Sequence, residues 1–395
     1  MNICIFAKAL TVHIRGGMER HIEELVDGLI KRGHEVTIIT TKHPKGLKRE
    51  EKDSLRIFYV GDKPMKYTEN FYYESAKLFE KLDKEEKFDI IHSQSSAGAG
   101  VVKYASLKQP IIVTLHGTIF NEIKSALNSK SLKGYALAFY LFIRMLMDKS
   151  DKLLLNKANK IITVSYQLCN DVKRQYNISE EKLITIPNGI DINKFKPINV
   201  DDLREKLKLD LNEKIILSLG KIVKQKGYHL LLKILPDILR NYNVKLVIVG
   251  TGSYLPDLKK MAVKLGIKDR VIFTGKVSDN DLPKYYNLAD IFAFPTLRIE
   301  GLPLVVMEAM ACKVPVVASR IGGIPTVIEN EKDGLLIRPN DLEDLKDKIL
   351  MLLEDEKFAK RIGKNARNKI IKKFSLDKMV DDTIKVYEEV MSNGR

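Results

Sequence analysis

Short apolar runs alternate with helical periods along this chain, and the whole alternation restarts once near its middle. In the first half the expected strands are Ile3–Ala7, Glu35–Thr40, Arg56–Val60, Asp89–Ser93, Ile111–Leu115, Ile161–Val164 and Leu183–Ile186. In the second half they are Lys214–Leu219, Lys245–Val249, Val271–Thr274, Asp290–Phe294, Pro315–Ala318 and Leu335–Ile337. Between the first two runs, Met18, Ile22, Leu25, Val26 and Leu29 recur at helical spacing, and Gly33 ends the period. Strands separated by helices run parallel and are covered on both faces. The pattern therefore predicts the α/β class, with two doubly wound, Rossmann-like domains.

The join falls near PNGIDINKFKP, residues 187–197, which is rich in turn residues. The expected boundaries are 1–187 and 188–375, followed by an amphipathic helix within 376–395. Two such sheets in tandem face each other across a cleft, a usual place for ligands. A chain of 395 residues has room for this.

Composition excludes several classes. Cys4, Cys169 and Cys312 match no metal spacing and suggest a reducing compartment. The N-terminus enters a strand directly, without a basic leader or cleavage site. The apolar run Tyr135–Met147 is broken by Arg144 and is too short to span a bilayer. These features point to a cytoplasmic protein, peripheral at most on the inner face of the cell membrane. The net charge is +16, and residues 103–174 hold 12 Lys or Arg against 4 Asp or Glu. That segment contains YALAFYLFIRMLM, flanked by Lys133, Arg144, Lys149 and Lys152. It suits an anionic membrane surface, or else a core helix with a solvated basic face. No nucleic-acid module is present and Trp is absent, so nucleic acid is not an expected partner.

The chemistry concentrates in EGLPLVVMEAMACKVPVVAS. Gly301 and Pro303 place Glu300 in a loop, and the breaker-free run Leu304–Ala311 predicts a short helix with Pro303 at its first position. The N–H groups at such a helix start, with the helix dipole, suit phosphate. Glu308 lies four residues beyond Leu304 on the same face. Carboxylates there could accept bonds from sugar hydroxyls, so a phosphorylated sugar fits. The plain alternative is a surface glutamate beside a buried helix.

Gly16 and Gly17 separate the first strand from its helix and allow close approach to phosphate. They do not form a dinucleotide fingerprint, since the third glycine and the acidic residue are missing, and GTGSYL at 250–255 fails likewise. Lys221 and Lys226 follow the first strand of the second half, where they could neutralise a diphosphate or simply be solvated. One charge pair near 4 Å contributes on the order of 4 kcal/mol at an effective dielectric of 20. His116 ends an apolar strand at its carboxyl edge and could bond a reacting sugar or sit satisfied in the core. Asp279 and Asp281 invite a metal–nucleotide reading, but with Ser278 they read better as helix caps. No metal and no cofactor is expected.

Together RGGMERHIEEL, KRGHEVTIIT, IITVS, IPNGID, KQKG, VIFTGKV, YNLADIFAFPT and the Glu-x₇-Glu stretch resemble the retaining, nucleotide-sugar-dependent glycosyltransferases of family 4, with the GT-B fold. The resemblance implies that the C-terminal helix 376–395 completes the first, acceptor-side domain and that 188–375 binds the donor. It implies that Gly16 and Gly17 meet the donor phosphate, that His116 contacts the transferred sugar, and that Lys226 binds the diphosphate. Glu300 would hold hydroxyls of that sugar, Glu308 the nucleotide ribose, and the 301–305 backbone the distal phosphate. Two departures stand out. Lys221 replaces a common arginine and loses the bidentate fork. Gly-Leu-Pro replaces Gly-Phe-Gly after Glu300, which leaves phosphate the N–H groups of Leu304 or Val305.

The expected reaction is metal-independent transfer from a nucleoside-diphosphate sugar to an acceptor hydroxyl with retained configuration. The acceptor would be a glycan or lipid-linked sugar in cell-envelope polysaccharide or glycolipid assembly. A nucleotide-sugar epimerase or a glycan phosphorylase on a related architecture is the alternative among enzymes. A non-catalytic membrane- or polyanion-binding protein is the alternative outside them.

Overall fold

A computed structural model describes residues 1–128, 132–147, 149–210 and 212–392, with the side chains of Lys133 and Met147 outside the description. The membrane-facing reading of Lys133 therefore lies outside the described residues. The chain divides into two compact units. The first comprises Met1–Phe120, Tyr140–Gly189 and Leu376–Arg395, and the second Asn121–Phe139 and Ile190–Ser375.

The first unit is built on an eight-stranded sheet: β1 Asn2–Ala7, β2 Glu35–Thr41, β3 Arg49–Lys52, β4 Leu55–Val60, β5 Ile90–Gln94, β6 Ile111–Leu115, β7 Lys160–Thr163 and β8 Leu183–Thr185. Their order is β3-β4-β2-β1-β5-β6-β7-β8. All neighbours pair in parallel except β3, which runs antiparallel to β4. The alternation in the sequence does not signal β3, because its four residues, REEK, are all exposed and carry no apolar face. Charged edge strands of this kind resist pairing with other chains.

The second unit holds a six-stranded, all-parallel sheet: β9 Lys214–Leu219, β10 Val244–Val249, β11 Val271–Gly275, β12 Ile291–Phe294, β13 Val316–Ser319 and β14 Leu335–Ile337. Its order is β11-β10-β9-β12-β13-β14. In both units the order reverses beside the first strand, between β1 and β5 and between β9 and β12. Loops leave the two strands toward opposite faces there, which opens a crevice at the carboxyl edge.

Each core follows from the sequence period. Ile22, Leu25, Val26 and Leu29 form the buried face of the helix Gly17–Lys31. They join β1 residues Ile3 and Ile5 and the C-terminal helix Leu376–Ser392, which contributes Met379, Val380, Val386 and Tyr387. Arg32 closes that helix pair by bonding Asp381 at 2.7 Å and Asp377 at 3.1 Å. In the second unit Leu231, Ile234 and Leu235 of the helix Tyr228–Ile238 pack with Leu246, Ile248, Leu345 and Ile349. Fully burying one such aliphatic side chain contributes about 1.5–3 kcal/mol.

Candidate active site

The loop after β9 and the loop after β12 flank the reversal point of the second sheet, and they are fastened together. Gly227 adopts the left-handed conformation at φ +76°, and a Cβ there would lie 1.9 Å from the Pro295 carbonyl oxygen. Only glycine allows that approach. Leu297 N–H donates to Gln225 O at 2.8 Å across the same seam. Within the second unit, Ile299 N–H also donates to Ser125 Oγ at 3.0 Å.

This seam brings Lys226 and Glu300 together. Lys226 Nζ donates to Glu300 Oε1 at 2.7 Å, with both side chains largely buried at 16% and 15% exposure. The ammonium also lies 4.9 Å from the centre of the Phe294 ring, a favourable cation–π placement. Thr296 Oγ1 donates to the same carboxylate oxygen at 3.4 Å. An ammonium carries three donors, so the bond to Glu300 leaves others for a phosphate oxygen. Lys221 stands exposed at the start of the loop. Among the described residues no hydrogen bond or ion pair joins it to Lys226 or Glu300.

The backbone of Glu300 is held from its other side. Gly323 N–H donates to Glu300 O at 2.8 Å. Gly322, at φ +57°, lies so close that a Cβ would sit 2.2 Å from that oxygen. Tyr228 hydroxyl is buried nearby, and among the described residues it has no hydrogen-bond partner. Burial, then the charge of Glu300, pushes its pKa up.

The helix Leu304–Ala311 starts one residue later than its proline suggests: Pro303 is the N-cap and not the first helical residue. Pro303 O accepts from Val306 N–H at 3.2 Å. Leu304 and Val305 are first-turn residues whose N–H groups have no intrahelical acceptor. Glu308 does share the face of Leu304, and that face points inward. Its carboxylate is fully buried and accepts from Tyr286 Oη at 2.5 Å. A ribose would have to reach it inside the unit. Asp281 caps the helix Leu282–Leu288 by position, and Ser278 Oγ donates to its carboxylate at 2.6 Å. Among the described residues no group of three or more His, Cys, Asp or Glu side chains is placed to hold a metal ion.

In the first unit Gly16 is the N-cap of the helix Gly17–Lys31 and Gly17 its first residue. Glu19, one turn in, is buried, and a Cβ on Gly16 would lie 2.4 Å from its carboxylate oxygen. Burial raises the pKa of Glu19. A phosphate at this helix start would meet that carboxylate. His116 follows β6, and its ring lies edge-on to His21, 4.7 Å between centroids. Its Nε2 lies 3.0 Å from Gln94 Oε1 at the end of β5. Burial drives the pKa of His116 well down, helped by His21 and His92. The ring is therefore neutral at physiological pH.

Glu19, His21, Gln94, Tyr286, Thr296 and Gly322 were not legible as site residues. Only His21 left a trace, as a polar residue within the apolar stripe of its helix.

Sequence comparison assigns these geometries to a family. The profile of glycosyltransferase family 4 matches residues 15–194, and that of glycosyl transferases group 1 matches residues 199–369. A UDP-Gal:alpha-D-GlcNAc-diphosphoundecaprenol alpha-1,3-galactosyltransferase of Escherichia coli is 31% identical over 86% of each chain. The chain belongs to glycosyltransferase family 4. An uncharacterised glycosyltransferase of Methanocaldococcus jannaschii is 27% identical over 99% of each chain. Among solved structures, sucrose-phosphate synthase of Thermosynechococcus elongatus superposes with a TM-score of 0.80 at 21% identity, over 99% of both chains. An Anabaena protein in complex with UDP and glucose superposes with a TM-score of 0.76 at 20% identity, over 98% of this chain and all of that one. The two units of this glycosyltransferase are thus the two parallel α/β domains of the GT-B fold.

Proposed function

We propose that this family 4 glycosyltransferase moves a sugar from a nucleoside diphosphate to a hydroxyl of a lipid-borne acceptor, with retained configuration and without a metal. The observation that carries this reading is the Lys226–Glu300 pair at the reversal point of the second sheet, beside the start of the helix Leu304–Ala311. A cation, a hydroxyl-binding carboxylate and outward N–H groups stand within one seam. In the reaction the bond from the anomeric carbon to the diphosphate oxygen breaks, and negative charge grows on the leaving group. Lys226, Lys221 and the N–H groups of Leu304 and Val305 offset that charge. Such preorganised donors are commonly the largest single contribution to catalysis.

Retention is the expectation that the family resemblance brings, and the carboxylates bear only on its route. Glu300 is engaged by Lys226, and Glu308 is buried against Tyr286. Neither is offered as a nucleophile. The acceptor oxygen then attacks from the leaving-group side, and its proton passes to the departing phosphate oxygen. His116 contacts the transferred sugar, and Glu308 takes the ribose once the donor is seated. The Anabaena neighbour in complex with UDP and glucose supports a uridine donor as the first to try.

A lipid-borne acceptor is supported by the helix Leu132–Met147. It exposes Leu132, Tyr135, Leu137, Phe139, Tyr140, Phe142, Ile143 and Leu146, with Phe139 at 69% and Tyr140 at 62%. Arg144 and Lys149 are exposed beside them. No described helix is long and apolar enough to cross a membrane, so this face would lie in the interface plane. The related galactosyltransferase acts on a diphosphoundecaprenol-linked sugar. The test is a panel of nucleotide sugars, screened by thermal shift and then by transfer to lipid-linked and soluble acceptors. Release of nucleoside diphosphate with a new glycosidic bond on lipid supports the reading. An isomerised nucleotide sugar or a free sugar phosphate refutes it. Replacing Phe139 and Tyr140 together by serine should reduce co-sedimentation with anionic vesicles at least about tenfold, and unchanged sedimentation would refute the membrane face.

A further inference from the structure

Gln94 is almost fully buried, and its amide faces two imidazoles. Its Oε1 lies 3.0 Å from His116 Nε2, and its Nε2 lies 3.4 Å from His92 Nε2. An amide oxygen only accepts and an amide NH₂ only donates. One amide orientation therefore fixes both rings. His116 must carry its proton on Nε2, and His92 must present a bare Nε2. That second nitrogen also lies 2.8 Å from Thr114 Oγ1, which donates to it. His92 then carries its proton on Nδ1, which donates to Tyr387 Oη at 2.7 Å. The chain of bonds runs from the C-terminal helix through β5 to the end of β6, all inside the first unit.

The rings are neutral, as such a chain requires. Burial pushes the pKa of His92 down to about 3 and that of His21 down to about 4. His21 packs its ring on His116 and is the titratable neighbour on the helix side. The nitrogen of His116 left over is Nδ1. With the proton on Nε2, it is an acceptor only.

We propose that Gln94 is a positioning residue that locks His116 in its Nε2-protonated tautomer, so that Nδ1 accepts a hydrogen bond from a hydroxyl of the transferred sugar. This rests on the assignment of His116 to the donor sugar. It sets a specificity rule. A donor whose facing hydroxyl is removed, alkylated or replaced by fluorine leaves His116 Nδ1 without its proton donor. Sites built around a substrate hydroxyl reject such analogues strongly.

Long-range proton–nitrogen correlation of the seven histidines in ¹⁵N-labelled full-length protein reads the tautomer directly. The wild type is expected to show His116 protonated on Nε2 and His92 on Nδ1. Gln94→Leu should release His116 into a mixture of tautomers, and Tyr387→Phe should disturb His92 first. With the donor found in the panel, Gln94→Leu should lower kcat/KM about tenfold, the worth of one hydrogen bond. A deoxy analogue, poor for the wild type, should lose nothing further in that variant. His116 protonated on Nδ1 in the wild type, or a tautomer indifferent to Gln94→Leu, overturns the lock, and the wild-type reading needs no variant to fold. If the tautomers behave as expected but His116→Ala turns over like wild type, the sugar contact is overturned and the lock stands.

Discussion

Gly322→Ala separates the placement of Glu300 from general stability. The added Cβ would lie 2.2 Å from Glu300 O, 2.8 Å from its N and 3.2 Å from its C. All three atoms are backbone, so no side chain can swing away. Carbon–oxygen contacts settle near 3.3 Å, so the two strands of chain must part by about 1 Å. The left-handed φ of +57° adds a strain of about 1–2 kcal/mol for an alanine. Loss of the Gly323 N–H to Glu300 O bond adds about 1 kcal/mol. For a unit of this size a total of about 2–3 kcal/mol lowers Tm by roughly 5–10 °C. A 1 Å displacement of Glu300 from Lys226 should cost about 10²-fold in turnover. The assay is donor turnover well below the melting transition, alongside thermal melts. Gly33→Ala is the control, because Gly33 has φ +79° and nothing within 4 Å of its Cβ position. It should lose about 1 kcal/mol of stability and no activity. If Gly322→Ala matches Gly33→Ala in both measurements, the seam does not position Glu300.

Other outcomes follow from the same contacts. Lys226→Ala should lower turnover about 10²–10³-fold, comparable to losing one oxyanion donor, as read by release of nucleoside diphosphate. Tyr286→Phe leaves the buried Glu308 carboxylate short of a donor and should cost about 2 kcal/mol, measured by urea unfolding. Stability should also fall with acid. His92 and His21 stay neutral in the folded chain down to about 3 and about 4, while the unfolded chain takes up protons below about 6.5. Stability is therefore full above that pH and declines below it, by about 2 kcal/mol per ring at pH 5. His92→Asn should flatten the decline in urea midpoints between pH 7.5 and 5.

The central parallel strands of both sheets were legible because they are buried on both faces and read as continuous apolar runs. Strand β3 was not, since an exposed edge needs no apolar residue. Membership of residues 121–139 in the second unit leaves no trace in their periodicity, because it depends on contacts such as Ser125 with Ile299. The site was legible as residue types in loops. Its pairings were not: Lys226 meets Glu300 across 74 positions, and Gln94 meets His116 across 22. The inward turn of Glu308 was in principle readable. It shares its face with Leu304, and an apolar helix of eight residues buries that face.

Lys226 and Glu300 are proposed to serve a diphosphate-sugar donor in a retaining transfer. Proton NMR of the product made from the accepted nucleotide sugar and a lipid-linked acceptor tests it most directly. The expected product carries a new glycosidic bond with the anomeric configuration of the donor, and Lys226→Ala should fail to form it. A product of inverted configuration, or one formed equally well by Lys226→Ala, would contradict it.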